Sequence, residues 1–247
     1  MHLISILNVV SSILIALGVM MFFPIIISFI YDDSLHNSFI FSALITLVIN
    51  FCIFLFTKRK INFSIKDAFA TVTLTWFFAA LFSTLPYLFS GTINNFTDAF
   101  FESMSGVSTT GATIITVTKD LPNGIESLPP SILFWRSFTQ WIGGMGIIVF
   151  SISILPLLGV GGIKLFRAEV PGPLTEKIKP RIKDTAKILW MVYIGFTLVQ
   201  VLLLYLAGMP WFDSICHAFT TMPTGGFSTQ NASISSYSSP TIQYIFI

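Results

Sequence analysis

Apolar side chains run almost unbroken from Leu3 to Ile30, and no charged residue stands between His2 and Asp32. A bilayer core takes about 20 such residues at 1.5 Å each, so this run predicts a transmembrane helix. Pro24 is expected to kink it or to mark its end. A secretory signal would carry a basic start and an apolar stretch of only about 7–15 residues, so the run reads as a retained span. Further apolar runs predict a second span from Phe39 to Thr57 and a third from Ala68 to Ser90. A fourth begins near Ser131 and continues without charge from Ser137 to Ile163 after Arg136; a fifth covers Ile188 to Gly208. Two shorter stretches do not fit this pattern. Phe96 to Val107 is semi-apolar, too short to cross, and breaks at Gly106-Val107-Ser108-Thr109-Thr110-Gly111. Trp211 to Thr221 repeats the arrangement and is followed by Met222-Pro223-Thr224-Gly225-Gly226. Each is either a surface helix on the outer face or a short helix that dips into the membrane and returns as an extended loop.

Composition narrows the class. Of 247 residues 54% are hydrophobic and 10% charged, with a mean hydropathy of +0.84, whereas a soluble domain carries about 25% charged residues. A water-soluble enzyme is excluded, and the expected fold class is an all-α integral membrane protein. The net charge of +2 gives no case for nucleic acid. Cys52 and Cys216 are far apart in apolar stretches, so neither a disulfide framework nor a zinc site is indicated. Lys58, Arg59, Lys60 and Lys66 lie between spans two and three; Lys164, Arg167, Lys177, Lys179, Arg181, Lys183 and Lys187 lie between spans four and five. The positive-inside rule makes both loops, and with them the N-terminus, cytoplasmic.

An internal repeat bears on the short stretches. A shift of 115 residues places Asp98 on Asp213, Thr109 on Thr224 and Gly111 on Gly226, and overlays span three on span five. The unit is span, short helix, Thr-x-Gly loop, span. A surface helix has no need to keep Thr and Gly together at the same point of each copy. Non-helical backbone is tolerated at membrane depth only where it is buried or lines a watery path. There carbonyl oxygens replace the hydration shell of an ion, and glycine supplies the positive φ that aligns them. A short helix ending at the loop also turns its negative end towards a cation.

The loops Val107-Ser108-Thr109-Thr110-Gly111-Ala112 and Thr221-Met222-Pro223-Thr224-Gly225-Gly226-Phe227-Ser228 resemble the filter segments of the Trk/Ktr/HKT superfamily of potassium-uptake proteins. The run Arg136-Ser137-Phe138-Thr139-Gln140-Trp141-Ile142-Gly143-Gly144-Met145-Gly146 is similar to that family's first post-filter helix. Leu165 to Pro173 resembles the cytoplasmic loop of the Trk-type subunit. The resemblance implies repeated span, pore helix, filter loop, span units in the manner of potassium channels, preceded by two extra transmembrane helices. The expected division is 1–62 for the two N-terminal helices, 63–163 for the first pore repeat, 164–187 for the basic loop and 188–247 for the start of a second repeat. On this reading the chain is the N-terminal half of a longer one, homodimeric in its full-length form and seated in the inner membrane.

The candidate ion-binding residues are Thr109, Thr110, Gly111, Thr224, Gly225 and Gly226, holding potassium as substrate through backbone carbonyls, with no cofactor. A glycine at position 111 resembles the potassium-selective members. Arg136 is expected either to pair with Glu102 or Asp98 and support the filter or to serve as an interfacial anchor. Asp98 and Asp213 are expected to cap their short helices. The glycines at 143, 144 and 146 are expected either to form a hinge or to allow close helix packing. The family's partner would be a cytosolic nucleotide-binding regulatory subunit docking on the basic loop, which would also lie beside lipid headgroups. The alternative function is a sodium- or proton-coupled secondary transporter with broken helices, its solute held at the Thr-Gly breaks.

Overall fold

The computed structural model describes residues 2–57, 64–118, 121–154 and 182–246. Lys58 to Lys60, Asp120 and the basic run from Lys164 to Arg181 lie outside them. The described residues contain helices and no strand. The first span is two helices, α1 (Leu3–Met20) and α2 (Phe22–Tyr31), with the break at Met21, three residues before Pro24. A proline in a helix lacks an N–H and crowds the carbonyl four residues back, which places the break one turn ahead of the ring. The chain returns as α3 (His36–Thr57). The third span likewise divides, into α4 (Ile65–Ser83) and α5 (Leu85–Ser90), where Pro86 occupies the first turn of the second piece.

The short stretches are α6 (Phe96–Val107) and α9 (Trp211–Thr221). Between them run α7 (Pro130–Ile154) and α8 (Ile182–Leu206), each of 25 residues. The helix α8 starts six residues before the apolar run predicted from Ile188. After α9 and its loop comes α10 (Pro240–Ile245). Among the described residues, four helical stretches are long and apolar enough to cross a membrane: Leu3–Tyr31, His36–Thr57, Lys66–Ser90 and Lys187–Leu206. They carry large exposed side chains such as Phe29, Phe56, Phe196 and Leu198, the surface that lipid tails cover.

The elements follow the same order twice, α4–α5, α6 and α7 and then α8, α9 and α10. The offset is 115 residues through the loops and falls to 110 at Pro130 and Pro240, because the second copy has the shorter connection. The helix α7 is the hub: α2, α4, α6, α8 and α9 all pack on it. Phe134, Phe138 and Trp141 present an aromatic row, and Phe219 of α9 packs against all three with ring centroids 5.4–5.7 Å away. Buried Trp135 faces the other way, donating to the Ser83 carbonyl at the end of α4 (3.2 Å).

Besides the packing of Phe23 on Phe138 and Phe39 on Trp135, a carboxylate ties the N-terminal spans to α7. Asp33 accepts from the Ser131 N–H (2.9 Å), in the first turn of α7, and from the Ser28 hydroxyl and the Leu35 N–H. A carboxylate there satisfies a free helix N–H and meets the positive end of the dipole. Burial raises the Asp33 carboxyl, but the hydrogen bonds from Ser131, Ser28 and Leu35 outweigh it and hold the group below the usual carboxylate range. A carboxyl depressed in the folded state stabilises above its unfolded value, near 3.9, and that stability disappears as pH falls through the folded value. Asp33→Ala is therefore expected to cost about 1 kcal/mol, typical of a lost N-cap. It is read as a lower melting temperature of the full chain in detergent at neutral pH. The gap from wild type should shrink below about pH 4; a gap that is absent at neutral pH would remove Asp33 as the tie.

Candidate ion-conduction site

Asn95 caps α6 by accepting from the Thr97 N–H (2.9 Å). Asp98 is thus not the cap but sits three residues on, in the first turn. Pro210 takes the cap position of α9, which places Asp213 likewise in the first turn. The expectation that the two aspartates cap their helices is corrected: Asp213 instead accepts from Thr229 (2.7 Å) and Tyr237 (2.8 Å), tying the start of α9 to the chain beyond the second loop.

The far ends of α6 and α9 decide between surface and dipping helices. A Cβ at Gly143 would overlap the Val107 carbonyl, and one at Gly144 would overlap the Pro223 side chain. Both glycines lie near the middle of the 25-residue α7. Each short helix therefore starts at the end of α7 that carries Pro130 and stops halfway along it, and the glycines are there to let the helix ends in.

Beyond each helix the backbone follows the same path. Thr109 has φ 58° and Gly111 φ 76°; Thr224 has φ 56° and Gly226 φ 86°. A non-glycine residue in the left-handed region costs about 1–2 kcal/mol, and both copies carry one at the same point. The N–H groups turn back to the helix ends, Thr109 to Gly106 (3.0 Å) and Thr110 to Ser105 (3.0 Å), matched by Thr224 to Thr221 (2.8 Å) and Gly225 to Thr220 (2.7 Å). Among the described residues, the carbonyls of 109–111 and 224–226 accept no hydrogen bond. The two loops meet, since a Cβ at Gly111 would run into the Gly225 carbonyl, whereas one at Gly226 would meet nothing within 4 Å.

Behind the loops lies a buried ion pair. Arg136 Nε donates to Glu102 Oε1 at 2.8 Å, and the two side chains are 1% and 0% exposed. Glu102 also accepts from the Thr113 hydroxyl (3.0 Å) and the Ile114 N–H (3.1 Å), both just past the first loop. Arg136 donates further to the Ser228 carbonyl (3.2 Å) and lies 4.3 Å above the Phe227 ring, just past the second. One guanidinium thus joins a short helix, a long helix and both loops, and it is no interfacial anchor. The 115-residue relation extends here: His217 replaces Glu102, Ser228 replaces Thr113, and the His217 Nε2 to Ser228 Oγ contact is 3.0 Å. Reading positions 113 and 228 through the repeat was the signal that would have found these hydroxyls. Among the described residues no group of three or more His, Cys, Asp or Glu is placed to hold a metal ion.

The family described as "TrkH: Cation transport protein" matches residues 34–247, most of the chain. The chain belongs to the TrkH family of cation transport proteins. It is 43% identical to the Trk system potassium uptake protein TrkH of Salmonella typhimurium over 99% of its own length and 50% of that protein's. It is 36% identical to the potassium uptake protein TrkG of Escherichia coli, over 90% of this chain and 45% of that one. The crystal structure of the potassium transporter TrkH from Vibrio parahaemolyticus matches with a TM-score of 0.85 at 36% identity, covering 100% of this chain and 48% of that one. The chain spans about half the length of the curated relatives it matches. A TrkH-family chain is a membrane protein, in accord with the apolar helices described above.

Removing one member of a buried ion pair costs about 3–5 kcal/mol, because the other stays behind uncompensated. In the full chain, Arg136→Met is expected to abolish the monodisperse folded peak on size exclusion, and adding Glu102→Gln is expected to recover much of it. A single variant that runs and melts like wild type would mean the pair holds nothing together.

Proposed function

We propose that this chain supplies two of the filter loops of a potassium-uptake pore, with the carbonyls of Thr109, Thr110, Gly111, Thr224, Gly225 and Gly226 as ion ligands. The observation that carries the reading is the paired backbone: φ within about ten degrees at equivalent positions, N–H groups turned away and carbonyls left without partners among the described residues, at half the depth of a long helix. Such oxygens suit a dehydrated monovalent cation. The C-terminal ends of α6 and α9 add negative potential at the same level. Glu102 and Arg136 support the loops from behind. The relatives named as potassium uptake proteins point to the same ion. The short helices stand apart from the full spans, unlike the mid-span breaks of a coupled transporter.

On this reading the N-terminus and the basic loops face the cytoplasm of an inner membrane, and His2 fits, since it hydrogen-bonds Asp67 at the start of α4 (2.9 Å). A cytosolic nucleotide-binding subunit docks on the basic loop from Lys164 to Lys187, and the full-length protein is a homodimer. Reversing the charge of Lys179, Arg181 and Lys183 is expected to reduce co-purification of that subunit while membrane insertion is unchanged; undiminished binding would leave the loop to lipid alone.

Selectivity tests the loops. Gly111→Ser introduces a Cβ against the Gly225 carbonyl as well as a strained φ, whereas Gly226→Ser introduces strain alone. In cells lacking other potassium uptake, both substitutions in the full chain are expected to lower the ratio of potassium to sodium uptake, Gly111→Ser the more. Wild-type ratios in both would end the filter assignment.

A further inference from the structure

Gln140 projects from α7, one turn beyond Arg136, and is fully buried. Its Oε1 accepts from the Phe227 N–H (3.2 Å), the first peptide after the second loop. That bond fixes the orientation of the amide, because an NH2 group could not accept there. The Nε2 then faces the gap between the loops, where it has no hydrogen-bond partner among the described residues. It lies 3.6 Å from the point a Cβ at Gly111 would occupy and 2.7 Å from the corresponding point at Gly225. Gly225 therefore has a second reason to be glycine: the amide plane occupies the space of its side chain.

We propose that Gln140 is a positioning residue that sets the separation of the two filter loops, and so the ion preference of the pore. The Glu102–Arg136 pair acts two peptides further out, on Thr113, Ile114 and the Ser228 carbonyl. Gln140 acts at the level of Gly111 and Gly225 themselves. Phe227 is held from both sides, its N–H by Gln140 and its ring by Arg136, so the exit from the second loop cannot slide along α7. A carbonyl cage discriminates between ions through the number and spacing of its oxygens. A side chain wedged at the meeting point of two loops controls that spacing without touching the ion. This inference rests on the filter reading above.

The test uses the full chain reconstituted in liposomes, with rubidium and sodium uptake measured side by side. Gln140→Met preserves length and volume but removes the acceptor. It is expected to lower the rubidium-to-sodium ratio about tenfold, the size of one buried N–H losing its partner. Gln140→Glu, which presents an oxygen at the same reach, is expected to give a ratio above that of Gln140→Met. Gln140→Asn, one methylene too short, is expected to fall with Gln140→Met. Folding is followed in parallel by size exclusion and melting temperature. A wild-type ratio in Gln140→Met, or equal ratios in the Met and Glu variants, would overturn the proposal. Loss of the folded peak in both Met and Asn variants would do so too, making Gln140 a residue of folding alone. A wild-type chain with no preference for rubidium would remove the filter reading itself, and the clamp with it.

Discussion

A backbone that leaves the helix in the middle of a membrane must satisfy its N–H groups without water, since an unpaired one costs several kcal/mol there. That constraint organises the molecule. The loops after α6 and α9 meet it by folding their N–H groups back onto the last turn of the helix they have just left. The cost is a left-handed threonine and a left-handed glycine in each copy. The gain is a run of carbonyls free of partners among the described residues. Everything around them serves to hold this conformation: glycines 143 and 144 admit the helix ends, and Arg136 and Glu102 grip the chain just past the loops.

A charged pair with almost no exposure is expensive, and its worth lies in what it joins rather than in its own Coulomb energy. Glu102 satisfies Thr113 and Ile114 of one loop exit; Arg136 satisfies Ser228 of the other. The second repeat solves the same local problem with His217 and Ser228, a neutral contact in place of a carboxylate and a hydroxyl. The repeat therefore preserves backbone geometry more strictly than side-chain chemistry. This explains why the sequence alignment at 115 residues shows few identities while the dihedral angles agree within about ten degrees at both positions.

Much of this was legible in the sequence, for reasons that differ by element. The short helices were delimited to the residue, Phe96–Val107 and Trp211–Thr221, because apolar periodicity stops where Gly, Pro and Thr begin. The Thr-Gly pairs could be placed because positive φ leaves a compositional trace. The caps could not, since Asn95 and Pro210 lie among other polar residues and only the first helical turn decides which one caps. Nor could Gln140, whose partner is a backbone N–H that no composition reveals; Thr113, held by the Glu102 and Arg136 side chains, is reached only through the repeat. The division of the first span at Met21 was half legible: Pro24 announced it, and the ring's clash with the preceding turn moved it three residues back.

The account stands on the unpaired carbonyls of the two loops being the ligands of a permeating cation. Crystals of the full chain grown in rubidium, examined by anomalous scattering, address this directly. The account predicts peaks on a common axis, bounded by the carbonyl oxygens of Thr109, Thr110 and Gly111 and of Thr224, Gly225 and Gly226. Ordered loops with no rubidium between them, or rubidium held by side-chain carboxylates elsewhere in the membrane region, would contradict it.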